Sequence, residues 1–330
     1  MSGHNDKAPD YVEDSHLSPQ VKEYLAVLNS GGRAMESMPP EMARQTLRDI
    51  QDSIEVDLSG IDESEKTINE DKYSVRITIV KPAEVKEESP VFIFVHGGGW
   101  VIGDYPTHRR LVRDLVVASG YTAVFVNYTH SPAVMYPEAI NEVFAVVKWV
   151  ARHGGEIGVD GSRMALVGNS AGGNMAMAAS FLAKENEAPE IKLQVLLWPV
   201  ADYNFDTESY RLYGEDRYLT TPLMKWFFNH YTNDASKREE IYHSPLRATQ
   251  EEMEGLPPTV IQVAENDILR DEGEALGRKL EEAGVETVTV RYNGVIHDWG
   301  MLNGCAGLPQ TKALVLFTAA MLKKYLNKKS

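Results

Sequence analysis

The stretch Val167-Gly168-Asn169-Ser170-Ala171-Gly172-Gly173-Asn174 places a serine where an aliphatic run, Arg163 to Val167, gives way to a run of helix formers, Met175 to Leu182. A turn that sharp holds its central residue in a sparsely populated backbone conformation, and Gly168 and Gly172 lack the Cβ atoms that would collide across it. The pattern is the G-x-S-x-G nucleophile elbow, which lifts a hydroxyl clear of a sheet and aims the first N–H groups of a helix at the oxygen under attack. So short a pattern also fits a plain strand–helix joint of small residues, and a serine alone is a poor nucleophile near neutral pH. It needs a base, and the base needs an orienting acid.

A second stretch supplies what an acyl transfer requires. Val91-Phe92-Ile93-Phe94-Val95 reads as a buried strand of the parallel type and runs into His96-Gly97-Gly98-Gly99-Trp100. Three glycines leave backbone N–H donors bare in a loop, which suits the oxyanion of a tetrahedral intermediate. A phosphate cradle also uses glycines, but neither G-x-G-x-x-G nor G-x-x-x-x-G-K-[ST] fits: Ile102 stands where the third glycine would fall, and no lysine follows. His96 reads as a hydrogen-bonding residue that shapes this loop, not as a base.

HGGGW at 96–100 together with GNSAGG at 168–173 resembles the hormone-sensitive-lipase-like (bacterial type IV) carboxylesterases of the α/β-hydrolase fold. The resemblance continues, in family order, through Trp198-Pro199-Val200-Ala201-Asp202, Ser244-Pro245-Leu246, Asp267-Ile268-Leu269-Arg270-Asp271-Glu272-Gly273 and Gly294-Val295-Ile296-His297-Asp298. It implies a serine carboxylesterase that hydrolyses short- to medium-chain carboxylic esters through an acyl-enzyme. The oxyanion would then be held by the backbone of Ala171 and of two glycines in the 97–99 run, for which the resemblance favours Gly98 and Gly99. No cofactor is implied, and no metal: the chain has neither H-E-x-x-H nor a paired-cysteine site.

In α/β-hydrolases the acid and then the histidine follow the serine along the chain. Val260-Ile261-Gln262-Val263 is a clean strand signal, and the loop after it offers Glu265 and Asp267 at a strand's carboxyl end, where ligand-facing residues of open parallel sheets gather. The family block puts the acid at Asp267. Asp271 and Glu272 fall on the following helix, and Asp298 is expected to point away from the site. The next strand leads to His297, whose position after the last strand marks it as the base. His4, His16, His153, His230 and His243 read as surface residues of a tail, a helix end or a lid; His108 and His130 lie nearer the cleft.

Three departures from the family pattern stand out. Asn169 occupies a position where many members carry aspartate; the amide keeps a hydrogen-bonding role and loses an electrostatic one. Asn127-Tyr128-Thr129-His130-Ser131-Pro132 lacks the arginine and glutamate common after that tyrosine, which puts a supporting ion-pair network in doubt. Trp299 places a large indole beside the histidine.

These residues need a scaffold. Weak strand signal near Glu65 to Ile68 and clear alternation over 73–80 are followed by strand 91–95, helix about 108–119, strand 122–127, helix about 137–152, strand 163–167, helix 171–184 and strand 193–198. Strands near 259–263 and 286–291 and helices about 271–283 and 310–326 complete the set. Alternation with aliphatic strands predicts an α/β fold: a mostly parallel central sheet of about eight strands with helices on both faces. Residues 1–55 are polar with helical patches at 19–28 and 40–50. Residues 203–243 carry no strand signal but a crowd of aromatics, and a helix opens at Thr221-Pro222, cap then proline. The expected organisation is a two-part helical cap, 1–55 and 203–243, over a core of 56–202 and 244–330. Packing of lid on core explains most of those aromatics, but some of Met35, Met38, Trp100, Tyr213, Met224 and Phe228 should line a substrate pocket.

Composition narrows the partners. A chain of 330 residues that is 43% hydrophobic can bury one large core. A formal charge of −15 argues against nucleic acid or an anionic membrane as partner. One cysteine, Cys305, excludes an internal disulfide. No basic start with an apolar stretch opens the chain, and no run reaches the ~18 apolar residues of a membrane span, so a cytoplasmic protein acting on a small-molecule ester is expected. The last strand could pair with a second copy, making a homodimer one expected assembly. Two alternatives stay open: a non-catalytic, receptor-like binding protein, and an amidase, lactonase or lipase on the same scaffold.

Overall fold

The computed structural model describes residues 8–84 and 88–327, so His4 lies outside the described residues. Among them eight strands form one sheet: β1 (Ile61–Glu70), β2 (Tyr73–Pro82), β3 (Ser89–Val95), β4 (Thr122–Asn127), β5 (Val159–Asn169), β6 (Leu193–Leu197), β7 (Thr259–Asn266) and β8 (Thr287–Ile296). Their spatial order is β1-β2-β4-β3-β5-β6-β7-β8, and neighbours are parallel from β4 through β8, while β2 runs antiparallel to both β1 and β4. Strand β3 is buried along its whole length, as its unbroken aliphatic and aromatic run predicts. Edge strand β1 is polar and mostly exposed, and it is held extended by pairing with β2 from Ile61 to Glu70; its charge guards a free edge.

The connecting helices are α3 (Tyr105–Ser119), α4 (Glu138–His153), α5 (Ala171–Glu185), α9 (Arg270–Glu282) and α10 (Pro309–Leu326). The chain moves one way across the sheet from β3 to β4 and the other way from β4 to β5, so right-handed crossovers put α3 and α4 on opposite faces. In accord with this, α3 packs on α10 and α4 on α5. Helix α3 starts three residues before the periodic pattern predicts, because Asp104 and Thr107 form a reciprocal capping box and Pro106 fits the first turn.

The direction of travel reverses between β3 and β5. Such a switch point opens a crevice at the carboxyl ends of the strands. Over it lie α1 (Pro19–Leu28), a 3₁₀ turn at Met35–Ser37 and α2 (Pro40–Asp52) from the N-terminal segment. Beside them stand α6 (Glu208–Tyr213) and α7 (Thr221–Tyr231) from the insertion; α8 (Gln250–Met253) is a short turn beyond it. Thr220, not Thr221, caps α7, accepting from Leu223 N–H. The two segments are tied together by a buried ion pair, Arg217 to Asp14 at 3.0 Å, and by the N–H of Ala8 on the carbonyl of Leu212. Arg44 of α2 donates to the carbonyls of Val101 (2.7 Å) and Ser131 (3.0 Å), tying the first segment to the glycine loop. Among the described residues no helix is long and apolar enough to cross a membrane.

Candidate active site

Ser170 stands between β5 and α5 with φ 52° and ψ −122°, a left-handed conformation that non-glycine residues rarely adopt. Its N–H is anchored on the carbonyl of Leu197 at 2.8 Å. The elbow rides on the end of β3: a Cβ at position 172 would fall 2.0 Å from the carbonyl oxygen of Val95, so only glycine lets α5 begin there. That contact fixes the serine beside the glycine loop, which leaves the same strand.

His297 follows β8 and Asp267 follows β7, neighbouring parallel strands whose ends share one rim. Asp267 Oδ2 accepts from His297 Nδ1 at 2.7 Å, and Oδ1 accepts from the N–H of Leu269 at 3.0 Å. Because a carboxylate can only accept, Nδ1 carries the proton and Nε2 presents a lone pair to Ser170 Oγ, 3.0 Å away. All three residues are at most 4% exposed. Burial alone would make the imidazole harder to protonate, but the charges of Asp267 and Asp298 and the hydrogen bond to Asp267 outweigh it, holding His297 above the usual histidine value.

Gly98 and Gly99 border the cavity that opens on Ser170, with φ of 105° and 57°. At 99 the constraint is double, since a Cβ there would lie 2.0 Å from Phe227 Cγ of α7. Ala171, buried, is the first residue of α5, whose leading N–H groups have no partner inside the helix. His96 is buried, donates from Nδ1 to the Gly97 carbonyl at 2.8 Å and stacks on Tyr128, shaping the loop. Among the described residues no group of three or more His, Cys, Asp or Glu converges as a metal cage. Where the family's ion-pair residues are missing, Thr129 donates from its N–H and hydroxyl to Glu142 at 2.6 and 2.8 Å.

The cavity holds about 580 Å³ and is walled mainly by apolar side chains from α1, α2, the 3₁₀ turn and α7. Met35, Met38 and Met224 line it. Trp100, Tyr213 and Phe228 do not, contrary to expectation. Trp100 is fully buried, stacked on Tyr231 at 4.1 Å and edge-on to Phe228, so both pin the loop to α7 from behind. Tyr213 turns to Arg270, whose guanidinium lies over its ring. Leu223 and Phe227 take the pocket face of α7; their spacing of four marked one helical face, but nothing local told which face met the cavity.

Three other expectations are corrected. His243 is fully buried among Trp100, Tyr136, Phe228 and Tyr231, where burial pushes its pKa down to about 3. Asp298 does not point away: its Oδ2 lies 3.8 Å from His297 Nε2 and borders the cavity. Trp299 packs on Trp198 and Tyr292, and the indole edge-on to His297 belongs to Trp198. The sign of a turn decides such cases, and Asp298 itself sits at φ 61°.

Comparison with known proteins agrees with this architecture. Residues 92–301 match a family model described as alpha/beta hydrolase fold. A crystal structure of a thermostable esterase from Pseudomonas putida superposes with a TM-score of 0.94 at 50% identity, covering 96% of this chain and 99% of that one. Among curated proteins, an ethyl acetate hydrolase of Pseudomonas putida is 27% identical over 86% of this chain and 92% of its own length. A carboxylesterase of Mycobacterium tuberculosis is 28% identical over 87% and 90%.

Proposed function

Since the chain belongs to the hormone-sensitive-lipase-like family of α/β-hydrolases and is a carboxylic ester hydrolase, we propose that Ser170, His297 and Asp267 form its catalytic triad and that hydrolysis passes through an acyl-enzyme on Ser170. His297 Nε2 takes the hydroxyl proton as Ser170 Oγ attacks the ester carbonyl, and Asp267 keeps the imidazole in the tautomer that can accept it. The carbonyl oxygen becomes an oxyanion, received by the N–H groups of Gly98, Gly99 and Ala171. The imidazolium then protonates the leaving alcohol, and a water activated by the same nitrogen releases the acid. We take residues 1–55 and 203–243 as the two parts of a cap whose apolar wall accepts acyl chains of short to medium length.

What supports this reading most is the continuous chain of hydrogen bonds from Asp267 through His297 to Ser170, at 2.7 and 3.0 Å, ending in an apolar cavity. Mixing with an activated ester such as a p-nitrophenyl acyl ester tests it. One equivalent of alcohol should be released in a burst, and mass spectrometry should find the acyl group on Ser170. Turnover without an acylated serine would refute the covalent route. A panel of acyl lengths, with matched amides and triglycerides, sets the substrate class; preference for insoluble long-chain lipid would contradict it.

A further inference from the structure

Asp298 joins the two halves of the site. Its Oδ1 accepts from Trp198 Nε1 at 2.7 Å and from Asn169 Nδ2 at 3.2 Å, while Oδ2 lies 3.8 Å from His297 Nε2, the nitrogen that faces Ser170. The orientation of Asn169 is not free. Its Oδ1 accepts from the N–H of Gly97 at 2.9 Å, so Nδ2 must face Asp298 and, at 3.3 Å, His108 Nε2. His108 donates from Nδ1 to the Asp104 carbonyl, which leaves a lone pair on Nε2. Side chain 169 therefore meets two acceptors on one side and has to donate there. An aspartate at 169 would set carboxylate against carboxylate at hydrogen-bond distance in a buried site, where like charges repel.

We propose that Asn169 and Asp298 act as a coupled pair, in which Asp298 flanks His297 on the serine side and positions Gly97 through Asn169. Asp298 is then a positioning residue for both base and loop, and this rests on the triad assignment above. As the proton leaves Ser170 Oγ for Nε2 and the Oγ–C bond forms, the new imidazolium lies between Asp267 on Nδ1 and Asp298 near Nε2. The proton then passes from Nε2 to the leaving alkoxide as the C–O bond breaks, and Asp298 never carries it. The cation is stabilised, and the base in consequence stays protonated to higher pH.

The other titratable groups around the pair are accounted for. His108 reaches it from α3 and is held neutral, because burial lowers its pKa. Tyr218 of the insertion faces Asp298 across the cavity with its phenol neutral, burial having pushed its pKa well up. Tyr210 and Glu272, both buried, stand near Asp267 behind Nδ1; burial pushes the pKa of each well up, which leaves the Tyr210 phenol neutral.

The test is kcat/KM against pH for a soluble activated ester, normalised to sites counted by the alcohol burst so that misfolded protein cancels. Asp298→Asn should move the acid limb down by about one pH unit, the size of a unit charge about 4 Å away under solvent-like screening. Asn169→Asp alone should cut the alkaline plateau about tenfold or more, from carboxylate repulsion beneath the loop. The double variant Asn169→Asp with Asp298→Asn takes away the like-charge repulsion and should recover part of the plateau that Asn169→Asp loses, but not all of it, because the atom of residue 298 that faces residue 169 is the one that must accept from Trp198. Its acid limb should stay low. Asp298→Ser, which keeps an acceptor for Trp198 but no charge, should displace the limb equally and serves if the amide variant fails to fold. An unshifted limb in Asp298→Asn and Asp298→Ser, or a double variant no better than Asn169→Asp alone, overturns the proposal. A normal burst with an unshifted limb removes the role of Asp298 only, whereas a parent enzyme with no burst removes the triad reading and this proposal with it.

Discussion

The rim of strand ends and the wall of the cavity above it are built on different principles. At the rim, Ser170, Asp267 and His297 leave parallel strands of one sheet, are almost fully buried and are held by directed hydrogen bonds of 2.7–3.0 Å. Their supports are close contacts of glycine backbone, with the Val95 carbonyl at Gly172 and with the Phe227 ring at Gly99. The wall is apolar, made from helices of two distant segments, with three methionines among its side chains. Methionine is flexible and fills irregular space, so a wall of this kind tolerates change where the rim does not. On the proposed assignment, chemistry falls on the stiff part and selectivity on the adaptable part.

If that division holds, rim substitutions should lower turnover for every ester alike, while wall substitutions should change the ranking among esters. The largest effect belongs to Ser170→Ala, expected to lose ~10⁶-fold in kcat with thermal unfolding unchanged. Next is Asp267→Asn, at ~10⁴-fold, since an amide can leave the wrong tautomer facing the serine. Gly99→Ala combines a left-handed φ with a clash against Phe227 and should cost about 10²–10³-fold through the oxyanion, with KM little changed. A Gly99→Ala enzyme that loses only binding would break the comparison. At the wall, Met224→Ala should change the ratio of long- to short-chain rates by about tenfold or less at nearly constant kcat for the best substrate.

Acid separates the two regions by mechanism. His297 lies above the ordinary histidine value, so kcat/KM should fall about tenfold per pH unit below a midpoint higher than ~6.5, as its protonated form can no longer accept the serine proton. The packed histidines go the other way: burial lowers His130 to about 4 and His243 to about 3. Between about pH 6.5 and 4 the unfolded chain binds protons that these folded sites refuse, so stability drains as pH falls, by on the order of 2–3 kcal/mol for each group at pH 4. Activity should therefore decline at a pH where Tm is still unchanged. Coincident loss of both would mean that unfolding, not titration of His297, sets the acid limb.

Much of the rim was legible because its signals are local. A serine between glycines, a triple glycine after an aliphatic strand and a histidine after the last strand each state a backbone geometry that only certain residues permit. Edge strands β1 and β8 extend beyond their apolar signal, to Ile61–Glu70 and Thr287–Ile296, because pairing with a neighbour carries polar residues into the ladder. The wall was less legible. The choice of Met35, Met38 and Met224 followed from apolar character, and the same character suggested Trp100, Tyr213 and Phe228, which pack elsewhere.

The amino-acid order by itself determined which backbone positions must be glycine, where strands end, and hence which side chains could meet at one edge of a parallel sheet. Those are constraints acting within a few residues, and they survive without knowledge of neighbours. Only the tertiary structure decided which way Asp298 and Trp299 turn, that His243 is a core residue, and which face of α7 looks into the cavity. These depend on what packs from 50 to 200 residues away, and an apolar or aromatic side chain is equally content in a core or a pocket wall until that partner is in place.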